Sequence, residues 1–312
     1  MSRIEEAIRR AAEERGTAMP APAPLNEDET TLPRESILVD MSEHRRVRPA
    51  PSHGTAGPAA PLSEVVERKP TAAASVFAHI DNRLAEKVIV DDAITPMSRE
   101  QYRRLAGVLH DAQAERGLKV ILVASAVAGE GKTLTSVNLA LTLSESYRRN
   151  VLLVDGDLRR PALHDVFKIN TATGLADALG AREDTKLTLH HVSNWLTVLP
   201  AGRPQADPMA GLASERMKRL VEEARETFDW VIIDTPPLVL LPDAPLMAAA
   251  ADGVVLVVRA ESTPHNLVKR AVDSLKNVPV LGVVLNGATV PAGGTGGYYG
   301  AYYGSRNGSD PR

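Results

Sequence analysis

Cysteine is absent from the 312-residue chain, which excludes disulfides, thiolate nucleophiles and thiolate metal sites together. Long apolar runs are also missing, since a membrane-spanning helix needs about 18 consecutive apolar residues and no stretch approaches that length. The charged N-terminus does not resemble a signal peptide. Neither sign of charge dominates, because 36 Lys and Arg face 39 Asp and Glu, so the composition does not indicate a nucleic-acid partner. We therefore expect a cytoplasmic protein without a nucleic-acid function.

Composition divides the chain into four segments. Residues 1–16 read as a short charged helix with a narrow apolar face. Residues 17–97 are rich in Pro, Ala and charge, which predicts a mostly disordered linker. Residues 98–288 carry the continuous hydrophobic runs and form the predicted folded domain. Residues 289–312 are rich in Gly and Tyr and predict a flexible tail.

Six short apolar runs in the third segment predict strands that are buried on both faces, because they are rich in Val, Ile and Leu. The runs are residues 120–125, 151–155, 195–202, 230–234, 253–259 and 280–286. Helical patterns alternate with them. Ser98 and Gln101 read as a capping box at the start of the first helix, and Thr263 and Pro264 as the N-cap and first residue of the last. This alternation predicts an α/β domain with a mostly parallel sheet flanked by helices.

A phosphate-binding pattern follows the first predicted strand. The sequence AVAGEGKT has the Walker A form G-x-x-x-x-G-K-[ST], with Ala126 at the place of the first glycine. Gly129 and Gly131 allow successive backbone N–H groups to wrap phosphate oxygens at a helix N-terminus. Lys132 suits the β- and γ-phosphates, and the hydroxyl of Thr133 suits Mg²⁺. The pattern predicts a site for a magnesium nucleotide.

Three aspartates follow two of the other predicted strands. Asp155 and Asp157 come after VLLV in VLLVDGDLRRP, and Asp234 ends the run WVIID in the form of a Walker B motif. The carboxyl ends of parallel strands meet at the sheet edge where the phosphate loop lies. A carboxylate buried at such a position requires a metal or strong hydrogen-bond donors. Helix capping is the alternative for each aspartate alone.

These motifs resemble those of a known family. AVAGEGKT, VLLVDGDLRRPALH, LPAGRPQADPMAGLAS, FDWVIIDTPP and VLGVVLN are similar to the bacterial tyrosine kinases (BY-kinases) of the CpsD/CapB type, which accompany exopolysaccharide and capsule synthesis. The D-x-D-L-R-R-P segment corresponds to the family's Walker A′ motif. The resemblance implies a P-loop NTPase fold of the deviant Walker, SIMIBI-like kind, and a tyrosine autokinase that uses ATP and Mg²⁺.

The resemblance also implies roles for individual residues. Thr133, Asp155 and Asp234 are expected to set the metal, and Asp155 by preference to accept the tyrosine proton. The expected catalytic residues are Lys132, Asp155, Asp157 and Asp234. The expected nucleotide contacts are Gly129, Glu130, Gly131, Lys132, Thr133, Leu134 and Asn286. Asn286 fits either an adenine contact or a turn. Arg159 and Arg160 fit contact with an incoming phosphate, contact with a neighbouring subunit, or an exposed loop.

In this family a C-terminal tyrosine cluster accepts the phosphate. The corresponding residues here are Tyr298, Tyr299, Tyr302 and Tyr303. The resemblance further implies a homo-oligomer, a membrane-bound polysaccharide co-polymerase as activator, and a cognate tyrosine phosphatase. The activator would recruit the chain peripherally to the inner face of the plasma membrane. The family's oligomer motif E-x-x-R-x-x-R is matched by Glu100 and Arg103 but has Ala106 at its last position.

Two other functions remain open on the sequence alone. A ParA/MinD-like ATPase switch shares the Walker motifs, although those proteins carry a second lysine where this chain has Val127. A nucleotide-gated binding module without kinase activity would also use the phosphate loop. Phosphorylation of the tail tyrosines distinguishes the kinase from both alternatives.

Overall fold

The computed structural model describes residues 80–288 with several gaps. The gaps are residues 82–83, 85–86, 90–93, 170, 182–186 and 277. The predicted helix over residues 1–16, most of the predicted linker and the tail with its four tyrosines lie outside the described residues. None of the described helices combines the length and apolar character that a membrane crossing requires.

The described residues form one seven-stranded sheet. Its strands are β1 (Val120–Ser125), β2 (Val151–Asp155), β3 (His190–His191), β4 (Leu196–Leu199), β5 (Trp230–Asp234), β6 (Gly253–Arg259) and β7 (Val280–Asn286). The spatial order is β3-β4-β2-β5-β1-β6-β7, and every neighbouring pair is parallel except β3 with β4. The mostly parallel sheet is confirmed. Two differences are the unpredicted short strand β3 and the edge strand β7, which is only partly buried.

Helices cover both faces of the sheet. They are α1 (Pro96–Arg116), α2 (Lys132–Leu141) with a π-helical turn (Thr142–Ser146), α3 (Leu163–Phe167), α4 (Leu175–Gly180), α5 (Met209–Leu212), α6 (Glu215–Thr227), α7 (Asp243–Ala248) and α8 (His265–Ser274). Successive β1 side chains point to opposite faces, so Ile121 packs in the apolar layer that contains α1 and α2, and Leu122 in the layer that contains α6, α7 and α8. The predicted α/β fold with helices on both sides is confirmed.

The two predicted helix starts are displaced. Helix α1 begins at Pro96, and its N-cap is Thr95, whose side chain accepts the backbone N–H of Ser98. The capping box at Ser98 is therefore wrong by one turn, since a proline at the first helical position favours the earlier start. Helix α8 begins at His265, after Pro264, and the hydroxyl of Thr263 bonds to Glu130 instead of capping the helix.

The packed part of the chain extends upstream of residue 98, where the sequence places the start of the domain. Ile80, Val88 and Ile94 are buried. The side chain of Asn138 on α2 accepts the N–H of residue 89 and donates to the carbonyl of residue 87, both at 2.9 Å. Isolated apolar residues in a polar stretch carry no helical or strand period, which is why the pattern missed this segment.

Candidate nucleotide-binding site

The Walker A loop joins the carboxyl end of β1 to the first turn of α2. Gly129 and Gly131 adopt φ of 82° and 94°, a left-handed region that disfavours other residues. Gly131 is the N-cap of α2, and a Cβ on it would lie 2.0 Å from Nδ2 of Asn286. The loop therefore has the predicted strand-loop-helix context, in which the α2 N-terminus is a site for phosphate.

Asp234, at the end of β5, is hydrogen-bonded to two side chains of α2. Its carboxylate accepts hydrogen bonds from the hydroxyl of Thr133 at 2.7 Å and from the hydroxyl of Ser136 at 3.1 Å. Burial raises the pKa of Asp234, while Lys132 and the two hydroxyls oppose this. The structure thus brings together Thr133 and Asp234, two of the three residues expected to set the metal.

Asp155 lies directly beside Asp234, because the two residues are register partners on the parallel strands β2 and β5. One carboxylate oxygen accepts the N–H groups of Ala162 and Leu163 at 3.0 Å, and the other accepts that of Asp157 at 3.2 Å. Burial, and then the charge of Asp234, raise the pKa of Asp155 from 3.8 to about 7. Asp155 therefore both shapes the Walker A′ loop and titrates near neutral pH.

Asp157 faces the lysine of the Walker A loop. Its Oδ2 lies 3.6 Å from Nζ of Lys132, and its Oδ1 accepts the N–H of Arg160 at 3.0 Å. Both side chains are mostly buried. The four residues expected to be catalytic thus gather at one edge of the sheet, around the start of α2.

The oxygen atoms at this edge fit a magnesium ion bound with nucleotide. Mg²⁺ prefers hard oxygen ligands, keeps several waters and usually takes one or two carboxylates with substrate phosphates. The Thr133 hydroxyl and the Asp234 carboxylate supply such oxygens 2.7 Å apart. In residues 80–288, outside the gaps, no group of three His, Cys, Asp or Glu side chains is arranged to hold a metal by itself.

The side chains of three expected nucleotide contacts, Glu130, Leu134 and Asn286, also contact other parts of the protein. The Glu130 carboxylate is buried and accepts three hydrogen bonds from protein groups. Leu134 packs against the apolar layer under α2. The Asn286 amide donates to the carbonyl of Glu130 at 2.8 Å, so it contacts the loop itself, an arrangement that neither of its predicted roles described.

Arg159 makes contacts that none of its predicted alternatives described. Its guanidinium forms two hydrogen bonds to the buried carboxylate of Asp243, with Nε to Oδ2 at 2.6 Å and Nη2 to Oδ1 at 3.2 Å, and also donates to the carbonyl of Ala206. Arg159 therefore ties the Walker A′ loop to α7, whereas Arg160 is exposed.

Sequence reasoning missed two residues of this site. Ser136 lies on α2, four residues after Lys132 and three after Thr133, so helical spacing alone was a signal that it faces the same aspartate. Thr263 left no such signal, because it is 133 positions from Glu130 and meets it only through the fold.

Comparisons with known proteins identify the family. The AAA domain family matches residues 118–279, about half of the chain. The chain is 32% identical over 222 residues to the tyrosine-protein kinase YwqD of Bacillus subtilis (strain 168), a match that covers 70% of this chain and 93% of that protein. The chain belongs to the bacterial tyrosine-protein kinases. The kinase is also 34% identical over 172 residues to the tyrosine-protein kinase CpsD of Streptococcus agalactiae, with 54% of this chain and 75% of that protein covered.

Two solved structures agree with this family. The kinase domain of the Escherichia coli tyrosine kinase ETK matches with a TM-score of 0.58 and 26% identity, over 73% of this chain and 87% of that chain. The chimerical protein CapA2B2 matches with a TM-score of 0.59 and 27% identity, over 66% of this chain and 91% of that chain. The predicted family, the P-loop fold and the tyrosine kinase class are confirmed. The roles of individual residues stay predictions.

Proposed function

We propose that this kinase transfers the γ-phosphoryl group of Mg·ATP to the tyrosines of its own tail, Tyr298, Tyr299, Tyr302 and Tyr303. The observation that carries the proposal is the convergence of Lys132, Asp155, Asp157 and Asp234 at the start of α2. A cation for phosphate, oxygen ligands for Mg²⁺ and a carboxylate base are the parts that enzymes use for phosphoryl transfer to a hydroxyl group.

ATP and Mg²⁺ are the expected substrate and metal. The phosphate loop and Lys132 would bind the β- and γ-phosphates. Thr133 and Asp234 would hold the magnesium ion, and Asp155 would contact the ion directly or through a water molecule. Bound Mg²⁺ neutralises charge on the phosphate oxygens during transfer. In this structure Lys132 lies against Asp157, so we expect the lysine to exchange this carboxylate for phosphate when the nucleotide binds.

Asp155 is proposed as the base. The tyrosine oxygen forms a bond to the γ-phosphorus while the bond from that phosphorus to the bridging oxygen breaks, ADP leaves, and the hydroxyl proton passes to Asp155. Positioning and charge neutralisation supply most of the catalysis in such reactions, so a weak base is sufficient. A carboxylate with a pKa of about 7 is suited to this role near neutral pH.

We propose that the kinase regulates polysaccharide chain assembly or export. A supporting relative is the succinoglycan biosynthesis transport protein ExoP of Rhizobium meliloti (strain 1021), 35% identical over 213 residues. The match covers 26% of ExoP. We therefore propose a membrane-bound co-polymerase as activator, recruitment to the inner face of the plasma membrane, a homo-oligomer and a cognate tyrosine phosphatase.

We propose that the phosphoryl group passes from the site of one subunit to the tail of another, and a mixture of two full-length variants tests this. Lys132→Met keeps the tyrosines but loses the phosphate lysine, and the matched partner has all four tail tyrosines changed to Phe but an intact site. We expect phosphate on the tail of the Lys132→Met chain only when the Phe variant and Mg·ATP are both present, with candidate activator segments added. A mixture that hydrolyses ATP while no tyrosine is modified contradicts the kinase and favours the ATPase switch.

A further inference from the structure

A buried carboxylate lies inside the phosphate loop. Glu130 is only 1% exposed, although it sits between the two glycines of a loop whose purpose is to bind an anion. Its Oε2 accepts the N–H of Val127 at 2.7 Å, and its Oε1 accepts the N–H of Arg259 at 3.3 Å and the hydroxyl of Thr263. An ionised carboxylate accepts hydrogen bonds and donates none, so all three contacts suit Glu130.

These contacts tie the loop to a distant part of the chain. Arg259 is the last residue of β6, and Thr263 lies in the turn between β6 and α8. Val127, by contrast, belongs to the loop itself. Glu130 therefore hydrogen-bonds both to the start of its own loop and to the segment that follows β6. Hydrogen bonds to charged groups are roughly twice as strong as neutral ones.

Two further contacts hold the backbone of the same loop. The Arg259 guanidinium donates to the carbonyl of Gly129 at 3.3 Å, and the Asn286 amide donates to the carbonyl of Glu130 at 2.8 Å. A loop that binds phosphate presents its N–H groups to the anion, so its carbonyls must be satisfied elsewhere. Arg259 and Asn286, from outside the loop, satisfy the carbonyls of Gly129 and Glu130.

We propose that Glu130 is a positioning residue that sets the phosphate-binding shape of the loop before nucleotide arrives, with Thr263 as its essential partner. The inference rests on the proposed binding of Mg·ATP. Glu130 thus contributes to nucleotide affinity without touching the nucleotide through its carboxylate. The loop contacts the phosphates in both the ground state and the transition state. Loss of its shape therefore weakens the binding of the two states equally, which raises KM and leaves kcat nearly unchanged.

The test uses three variants of the full-length chain. Glu130→Gln keeps the shape of the side chain but turns an amide N–H toward groups that are themselves donors, Thr263→Val removes one donor, and Thr263→Ser retains it. Glu226→Gln and Thr227→Val on the exposed side of α6 are the matched controls. The measurements are the Kd for Mg·ATP by calorimetry, KM and kcat for tyrosine phosphorylation, and the thermal midpoint.

We expect Glu130→Gln and Thr263→Val to raise the Kd and KM for ATP by about 10-fold, with kcat within about 3-fold of the wild type. Thr263→Ser should restore wild-type values, and the two controls should not differ from the wild type. An unchanged Kd overturns the inference. So does a fall in kcat and in the thermal midpoint at constant KM, because that pattern describes a residue that only stabilises the fold.

The same measurements separate this inference from the proposed function. A wild-type chain that binds Mg·ATP but modifies no tyrosine contradicts the kinase alone, and the Kd values of the variants still decide the role of Glu130. A wild-type chain that binds no Mg·ATP overturns both, since the inference requires that binding.

Discussion

Tyrosine phosphorylation by this kinase should fall about 10-fold between pH 8 and pH 6. Asp155 is the proposed base and must be ionised to accept the tyrosine proton. Its pKa is raised to about 7, first by burial and then by the charge of Asp234. A group with that pKa is ionised to about 90% at pH 8 and to about 10% at pH 6, and kcat/KM reports the ionisation of the free enzyme.

The stability of the nucleotide-free protein should change in the opposite direction. Burial disfavours the charged form of Asp155 in the folded state, so the folded protein holds this proton up to about pH 7 while the unfolded chain releases it near 3.8. Stability therefore rises as pH falls from about 7 toward 4. The difference between the two pKa values of Asp155 adds about 4 kcal/mol to the free energy of unfolding at low pH. Most of this gain is reached before the pH falls to 4.5.

Opposite trends distinguish this mechanism from acid denaturation, which would lower activity and stability together. We would measure kcat/KM for ATP and urea unfolding from pH 6 to pH 8 at constant ionic strength, beside Asp155→Asn as the control. The control should have low, pH-independent activity and a flatter stability profile. A wild-type rate that is constant across this range, or a stability that falls with the activity, would refute the assignment of Asp155 as a base that titrates near pH 7.

Three further substitutions test the structure around the site. Ser136→Ala removes a donor from the buried Asp234 carboxylate and should lower the free energy of unfolding at pH 8 by about 2 kcal/mol in urea titrations; no change would mean that the hydroxyl is dispensable. Gly131→Ala places a Cβ against Asn286 at positive φ, so it should destabilise by about 1–2 kcal/mol and weaken Mg·ATP binding in calorimetry, whereas an unchanged Kd would contradict the close packing. Ala106→Arg completes the family's oligomer motif at a fully buried position and should cost about 3 kcal/mol or more; sedimentation showing a stable, larger oligomer would contradict this expectation.

The sheet and the site were predictable for the same reason. Strands such as β2 and β5 are buried on both faces, which gives continuous Val, Ile and Leu runs that stand out from the helical patterns between them. Parallel strands place their carboxyl ends at one edge, so residues that follow them in sequence, such as Asp155 and Asp234, meet in space. The Walker A spacing then located the start of α2.

The features that sequence missed depend on contacts between distant residues. The two residues of β3 are too few for a strand pattern, and the pairs Glu130 with Thr263 and Arg159 with Asp243 join positions 133 and 84 residues apart. Single polar residues carry no period, so nothing in the sequence distinguishes a buried, bonded Glu130 from one that faces the nucleotide. Only the fold assigns their partners.

The most direct test of the central claim is to map phosphate on the full-length chain by mass spectrometry after incubation with Mg·ATP, with and without candidate activator segments. Lys132→Met is the matched control, because it changes the lysine that is proposed to bind phosphate and leaves the tail intact. We predict phosphate on Tyr298, Tyr299, Tyr302 or Tyr303 in the wild type and its loss in the variant. Bound or hydrolysed ATP with unmodified tyrosines under every condition would contradict the assignment as a tyrosine autokinase.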